Sequence, residues 1–379
     1  MERNPLYIQE LVDRCIDCLA ESTPSLLACT LVARSWVYTA QSHLFRAPHV
    51  TLEDYPSREE DARLLDFQNT LIAFPHVVCH VHELCLSHSL HGTTVEKLCN
   101  IPFSHLETLL LELTGHTDIS WLKSSIKPLY SLRTLRSLSL DLTVGYPCAA
   151  PLLEGFPPTI DHLEVFCYRW NRNVGNPMPT TAACEQVSFI PLKSLVLAVG
   201  RDDGPQSLNS SALYPFDLSR LKSLQVETGE YIPWITIPKQ RIEMLEFKRL
   251  SRKSSIDLSA FPNLNLIRFN LPNTLPPGPR LALEKIQPSN RIQIVQFSLG
   301  DCAFDEFKVE CGELDRVLAL CPVSPLPVVE FEAYEVMPGV EESLRRFFPR
   351  IVEQNQFRMA YRSSVMAISW WKDKVAAEQ

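Results

Sequence analysis

Leucine recurs along this chain in a fixed phrase. In Leu135-Arg136-Ser137-Leu138-Ser139-Leu140-Asp141, two leucines alternate with serines and an aspartate. Period-two alternation places Leu138 and Leu140 on one face of a short strand and the polar residues on the other. With Leu135 the kernel is L-x-x-L-x-L. It reads again at Val81-Leu84-Leu86, Leu106-Leu109-Leu111, Ile160-Leu163-Val165, Leu192-Leu195-Leu197, Leu221-Leu224-Val226, Ile242-Leu245-Phe247, Leu264-Ile267-Phe269, Ile292-Val295-Phe297 and, more loosely, Leu326-Val329-Phe331. Each copy predicts a strand centred on its last apolar pair, at 84–86, 109–111, 138–140, 163–165, 195–197, 224–226, 245–247, 267–269 and 295–297, with the looser copy adding one near 329–331.

One such strand cannot bury its leucines alone; it needs neighbours with the same pattern. The first positions run from 81 to 326, a mean spacing of about 27 residues, within the roughly 20–29 of leucine-rich repeats. The expected fold is therefore α/β: a curved solenoid over 81–337 with one parallel inner sheet, joined by helical or irregular returns such as a helix over Ile119–Leu129. Residues 167–188, 200–215 and 272–280 lack a clean period and read as loops.

The N-terminal part has another rhythm. Asn4 and Pro5 are cap and first-turn residues, and Ile8, Leu11, Val12, Cys15, Ile16 and Leu19 follow at helical spacing. Thr23-Pro24 opens a second helix, and a third runs on from Ser35 with Trp36, Val37, Ala40 and Leu44 on one side. Three helices in about forty residues give a core too small for comfortable independence. The stretch resembles the F-box, the module that docks on the Skp-family adaptor of cullin ubiquitin ligases, at Glu10-Leu11, Ile16, Leu19, Ser25-Leu26, Cys29, Leu31-Val32, Arg34, Trp36 and Leu44-Phe45. The Leu-Pro that usually precedes the glutamate stands reversed, as Pro5-Leu6. An F-box followed by a connecting helix and irregular leucine-rich repeats is the order seen in a large family of fungal F-box proteins. That resemblance implies adaptor contacts from Leu6, Glu10, Leu11, Ile16, Leu19, Leu26, Leu31, Val32 and Trp36.

The implied organisation is an F-box-like module over 1–46, a linker and capping helix over 47–80, the repeats over 81–337 and a C-terminal cap over 338–379. In the linker, Val50-Thr51-Leu52 suits a short strand. Ser57 and Glu60 form a capping box for a helix that Pro75 ends. In the cap, a helix over Glu341–Phe348 ends at Pro349, Phe357, Met359 and Tyr361 alternate as a last strand, and Val365–Lys374, with Trp370-Trp371, reads as a buried helix.

With 45% apolar and 21% charged residues, the chain suits a soluble globular protein. A net charge of −8 argues against a phosphate-tracking nucleic-acid binder. The start MERNPLYIQE has no apolar secretory core and no apolar run is long enough for a bilayer. The expectation is a cytoplasmic or nuclear protein, off the membrane, with its twelve cysteines reduced. Cys15-Ile16-Asp17-Cys18 has no second pair at zinc spacing and reads as ordinary packing. The histidines at 76, 80, 82, 88 and 91 have no acidic or cysteine partners at ligand spacing. Gly-x-Ser-x-Gly, P-loop and dinucleotide motifs are missing, so no enzyme, cofactor or metal is expected.

The polar positions of each strand should line the inner face, where solenoid partners dock. Among them are Glu83, Glu112, Asp141, Glu164, Phe166, Glu227, Glu246 and Arg268. Carboxylates outnumber Lys248 and Arg268, so an acidic wall facing a protein substrate with a basic segment is expected. The resulting expectation is a substrate-recognition subunit of a cullin-type ubiquitin ligase. The alternative is a non-catalytic repeat scaffold whose first helices are only a cap.

Overall fold

The strands fall where the kernels lie. A computed structural model describes residues 9–20, 22–46, 49–50, 58–87, 93–113, 119–142, 159–167, 190–199, 216–228, 237–250, 256–271, 277–299, 308–333 and 339–361. Contacts divide the chain into two units. The first is chiefly Met1–Ile190; the second is chiefly Pro191–Ala198 with Asp217–Gln379.

The first unit opens with α1 (Gln9–Asp17), α2 (Thr23–Val32) and α3 (Arg34–Leu44). Strands β1 (His49–Val50), β2 (Glu83–Ser87), β3 (Thr108–Leu113), β4 (Ser137–Leu142) and β5 (His162–Cys167) then form a parallel sheet in chain order. Returns pass through α4 (Arg58–Ala73), α5 (Thr93–Cys99) and α6 (Ile119–Tyr130). Two-residue strands β6 (Ile190–Pro191) and β8 (Phe216–Asp217) pair with each other. In the second unit β7 (Ser194–Val199), β9 (Ser223–Thr228), β10 (Met244–Arg249), β11 (Leu266–Leu271), β12 (Ile294–Leu299), β13 (Val328–Ala333) and β14 (Phe357–Tyr361) are again parallel neighbours in that order. Parallel strands in register, one per kernel and separated by returns, make a leucine-rich-repeat-like α/β arrangement in each unit.

The register follows from the kernel. Leu84, Leu109, Leu138 and Leu163 pair in one row, and Leu86, Leu111, Leu140 and Val165 in the next. All eight are buried. Position one of the kernel is buried too, at Val81, Leu106, Leu135, Ile160, Leu192, Leu221, Ile242, Leu264 and Ile292. Position two does something the leucine pattern alone did not foretell. The carbonyl of His82 accepts hydrogen bonds from the N–H groups of both Glu107 and Thr108 at 2.8 and 3.0 Å. Glu107 does the same for Arg136 and Ser137, Arg136 for Asp161 and His162, Lys193 for Lys222 and Ser223, Lys222 for Glu243 and Met244, Glu243 for Asn265 and Leu266, and Asn265 for Gln293 and Ile294. One carbonyl thus clamps two consecutive amides of the next strand. The side chain at this position is polar every time.

The returns differ between units. In the first, Val95, Leu98, Cys99, Ile126, Leu129 and Tyr130 bury the helices behind the sheet. In the second, single 3-10 turns suffice at Leu218–Arg220, Lys239–Arg241 and Leu258–Ala260. Asp217-Leu218-Ser219 and Asp257-Leu258-Ser259 form the same cap, the aspartate accepting from the serine amide two residues on. Asn290 is buried and donates to the carbonyls of Leu258 and Phe261, both at 3.0 Å, satisfying two acceptors that would otherwise be costly to bury. In this unit Phe247, Phe269, Phe297, Phe331 and Phe357 stack across the five strands, with ring centres 5.3–5.8 Å apart. Offset stacks of this spacing add to the area that the rings bury.

The expected ends of some elements move. Residues 272–280 are not wholly a loop, because Gly278 starts a helix, Gly278–Leu283. A Cβ on Gly278 would lie 2.5 Å from the Leu250 carbonyl oxygen, so glycine lets this helix press onto the backbone before it. Pro349 ends one helix, Val340–Phe347, and begins another, Pro349–Glu353, where its missing N–H costs nothing. Buried Asp315 caps that second helix, accepting from the amides of Arg350 and Ile351 at 3.2 and 3.1 Å. The expectations for Asn4-Pro5, Leu6, Thr51-Leu52, Ser57, the 168–188 loop, residues 200–215 and the helix with Trp370-Trp371 lie outside the described residues.

Candidate protein-interaction site

The three N-terminal helices close a core of their own. Val12, Ile16, Leu26, Cys29 and Ala40 are buried together, and Leu19, Trp36 and Leu44 pack against them. Helices α1 and α3 are tied by a polar seam in one-turn steps. Gln9 Nε2 donates to the Ser35 carbonyl at 3.0 Å, the Thr39 hydroxyl donates to Asp13, and His43 Nε2 stands 2.8 Å from Asp17 Oδ1. Residues 9, 13 and 17 are i, i+4, i+8, so one stripe of α1 is spent on α3. The neighbouring stripe, Val12 and Ile16, enters the core. The module joins the sheet through Arg46, whose carbonyl accepts from His82 and Glu83, both at 2.9 Å, and through the Tyr38 ring, edge-on to His80 at 4.7 Å.

Several apolar side chains on α1 and α2 remain open. Leu11 is 42% exposed, Leu27 53%, Leu31 87% and Val32 62%. Leu27 and Leu31 are one turn apart on α2, facing away from its buried Leu26 and Cys29. A helix that is apolar on both sides is normally covered on both. Open leucines on a structured surface mark an interaction site.

The structure sorts the residues that the resemblance pointed to. Glu10, Leu11, Leu31 and Val32 are exposed and Leu19 and Trp36 are partly covered, whereas Ile16 and Leu26 are core. Ile16 and Leu26 therefore hold the helices together and are not themselves a contact surface: they occupy the stripes that complete the small core. Leu27 was not anticipated. Its signal was the i, i+4 spacing to Leu31, off the buried stripe.

The polar sheet face is not one acidic wall. In the second unit a single row across five strands reads Glu246, Arg268, Gln296, Glu330, Arg358. Gln296 donates to Glu330 at 2.6 Å, and Arg358 Nε lies 3.3 Å from the same carboxylate. Arg268 is buried, 3.7 Å from Glu246, and reaches across the small Ser298 to pair with buried Glu332. Asn270 donates to Glu246 at 3.2 Å. Glu246 and Arg268 were expected as substrate contacts. They are instead inside: Glu246 and Arg268 stand directly opposite each other on β10 and β11, where opposite charges pair, and Arg268 also reaches Glu332 on β13. In the first unit Glu83, Asp141, Glu164 and Phe166 are partly exposed on strands β2, β4 and β5. The backbone at Glu112 and Glu227 is in strands β3 and β9, and their side chains are outside the described set.

Among the described residues no helix is long and apolar enough to cross a membrane, and no group of three His, Cys, Asp or Glu side chains could hold a metal ion. No family model matches the chain. No curated protein matches it. A solved structure, the leucine-rich repeat-containing protein LegL7 from Legionella pneumophila, aligns at 12% identity over 72% of this chain and 98% of its own, with a TM-score of 0.34.

Proposed function

We propose that the chain is a substrate-recognition subunit of a cullin-type ubiquitin ligase, holding a Skp-family adaptor on α1 and α2 and a protein substrate on its repeats. The observation that carries this reading is that Leu11 on α1 and Leu27, Leu31 and Val32 on α2 stay exposed on a module whose own core is already closed. Helices serving only as a cap would spend those leucines on the neighbouring repeat. Catalysis would be by proximity. A rigid chain that holds a substrate near a loaded conjugating enzyme raises effective concentration, and no side chain of this protein would take part in bond making.

The substrate surface in this reading is the first unit's sheet face, with Glu83, Asp141 and Glu164 facing a basic segment.

Adaptor docking is tested in the full chain. Leu31→Asp and Val32→Asp lie on the exposed side of α2, where substitutions usually change stability by less than about 0.5 kcal/mol. Each should abolish capture of a Skp-family adaptor and leave the thermal melt where it was. Undiminished capture by both variants would remove α2 as the docking face.

A further inference from the structure

Cys15 and Cys18 are both exposed free thiols, while Cys29, Cys99 and Cys311 are buried. The packing role expected of the pair from sequence is therefore not the one it has. Residues 9, 13 and 17 face α3 and residues 12 and 16 face the core. Helical periodicity then leaves 11, 15 and 18 on the remaining side of α1, with Cys15 one turn beyond Leu11 and Cys18 three residues further. The helix is ending there. The Cys18 amide still bonds the Arg14 carbonyl at 3.2 Å, but the Leu19 and Ala20 amides have moved to i−3 bonds with Ile16 and Asp17. Side chains three apart on a helix have Cβ atoms ~5–6 Å apart, and a disulfide needs about 3.5–4.5 Å. Closing the gap takes a small shift, and a helix end that has already left the regular ladder can supply it. A bond made with that strain, in the open, is easily reduced, which suits a reversible switch and not a permanent staple.

We infer that Cys15 and Cys18 form a redox-responsive dithiol, closed by a peroxide and reopened by a thiol reductant, on the same face as Leu11. One thiolate attacks hydrogen peroxide: an S–O bond forms, the O–O bond breaks, and after proton transfer a sulfenic acid and water remain. The second thiol then attacks that sulfur, the S–S bond forms and a second water leaves. Two thiols and one peroxide give one disulfide and two waters; sulfur is oxidised and peroxide oxygen is reduced. The consequence for docking rests on the adaptor reading above. Closure pulls in the end of α1 beside Leu11 and weakens adaptor binding.

The test uses the full chain in two arms. In the first, maleimide labelling with peptide mass spectrometry should find both thiols reactive in the reduced chain. After hydrogen peroxide both should be blocked, with their common peptide lighter by two hydrogens, and dithiothreitol should restore them. In Cys15→Ser the remaining Cys18 should instead advance to sulfinic acid. Thiols that stay reactive after peroxide, or sulfinic acids in place of the disulfide in the wild-type chain, overturn the dithiol. In the second arm, peroxide should weaken capture of a Skp-family adaptor at least tenfold in the wild-type chain and leave capture by a Cys15→Ser, Cys18→Ser double variant unchanged. Equal capture by reduced and oxidised wild-type chains overturns the switch. A reduced chain that captures no adaptor overturns the docking reading instead, and the labelling arm still decides the dithiol.

Discussion

His80 stands where α3 meets the start of the first sheet. It is buried against the Tyr38 ring. Burial holds its imidazole below the ordinary histidine range, and His76, His82 and His105 push in the same direction. His82 in turn lies 3.6 Å from Glu107, and His105 bonds the Cys79 carbonyl at 2.8 Å. A base with a depressed value in the folded state stabilises the fold while it is neutral. That stability is present above the unfolded value, about 6.5, and is lost as pH falls through the lower folded value. The first unit should therefore melt at lower temperature as pH drops from about 7 toward 5, and His80→Phe, which keeps a ring against Tyr38, should flatten the slope. Equal slopes in calorimetry of both proteins would assign the acid sensitivity to other groups. The sequence displayed the histidine run plainly. That one member would be buried beside an aromatic ring from another element was not legible, because Tyr38 and His80 are linked only by folding.

At the scale of elements, strands were the most legible feature and returns the least. Each strand carries its own kernel, so Leu109 and Leu111 announce β3 without reference to any other segment. A return has only to bring the chain back. The helix Lys308–Ala319 is interrupted in its pattern by Gly312 and exposes Val309, and the helix at Gly278 is hidden among prolines. The inward half of each strand could be read from alternation, but what the outward half meets could not. Arg268 pairs with Glu332, sixty-four residues away. Removing one member of a buried ion pair costs about 3–5 kcal/mol, whereas replacing the whole set with uncharged residues of similar volume is often neutral. In denaturant melts Arg268→Ala should lose stability on that scale, and combining Arg268→Met with Glu246→Gln and Glu332→Gln should recover most of it. An Arg268→Ala protein as stable as the wild type would show that the guanidinium does not hold these strands.

For the molecule as a whole, the pattern of charge matters more than its net value. The polar strand positions predicted a mostly acidic face, yet in the second unit Arg268 and Arg358 answer Glu246, Glu330 and Glu332. In the first unit Glu83, Asp141 and Glu164 are partly exposed, whatever their neighbours within the sheet. Binding of a lysine- and arginine-rich peptide should weaken as ionic strength passes about 0.1 M, where the screening length falls to ~10 Å. Reversing Glu83, Asp141 and Glu164 to Lys should slow its association far more than reversing the exposed Asp66, Glu342 and Glu353. Stopped-flow rates that respond equally to both triple variants would leave only a diffuse attraction to the whole acidic chain.

The clamping carbonyls have a further consequence, for how such a chain can change over evolutionary time. Each clamped strand takes its alignment from the one residue before its neighbour and owes nothing to the length of the intervening return. Insertions and deletions can therefore accumulate in the returns without cost to the sheet, and a segment from one clamp to the next, such as 223–243, can be copied or excised as a unit with both new joints already compatible. A single residue gained between clamp and strand is the dangerous event, since it turns every leucine of that strand outward. Descent in this architecture should leave kernels of fixed length separated by returns of almost any length.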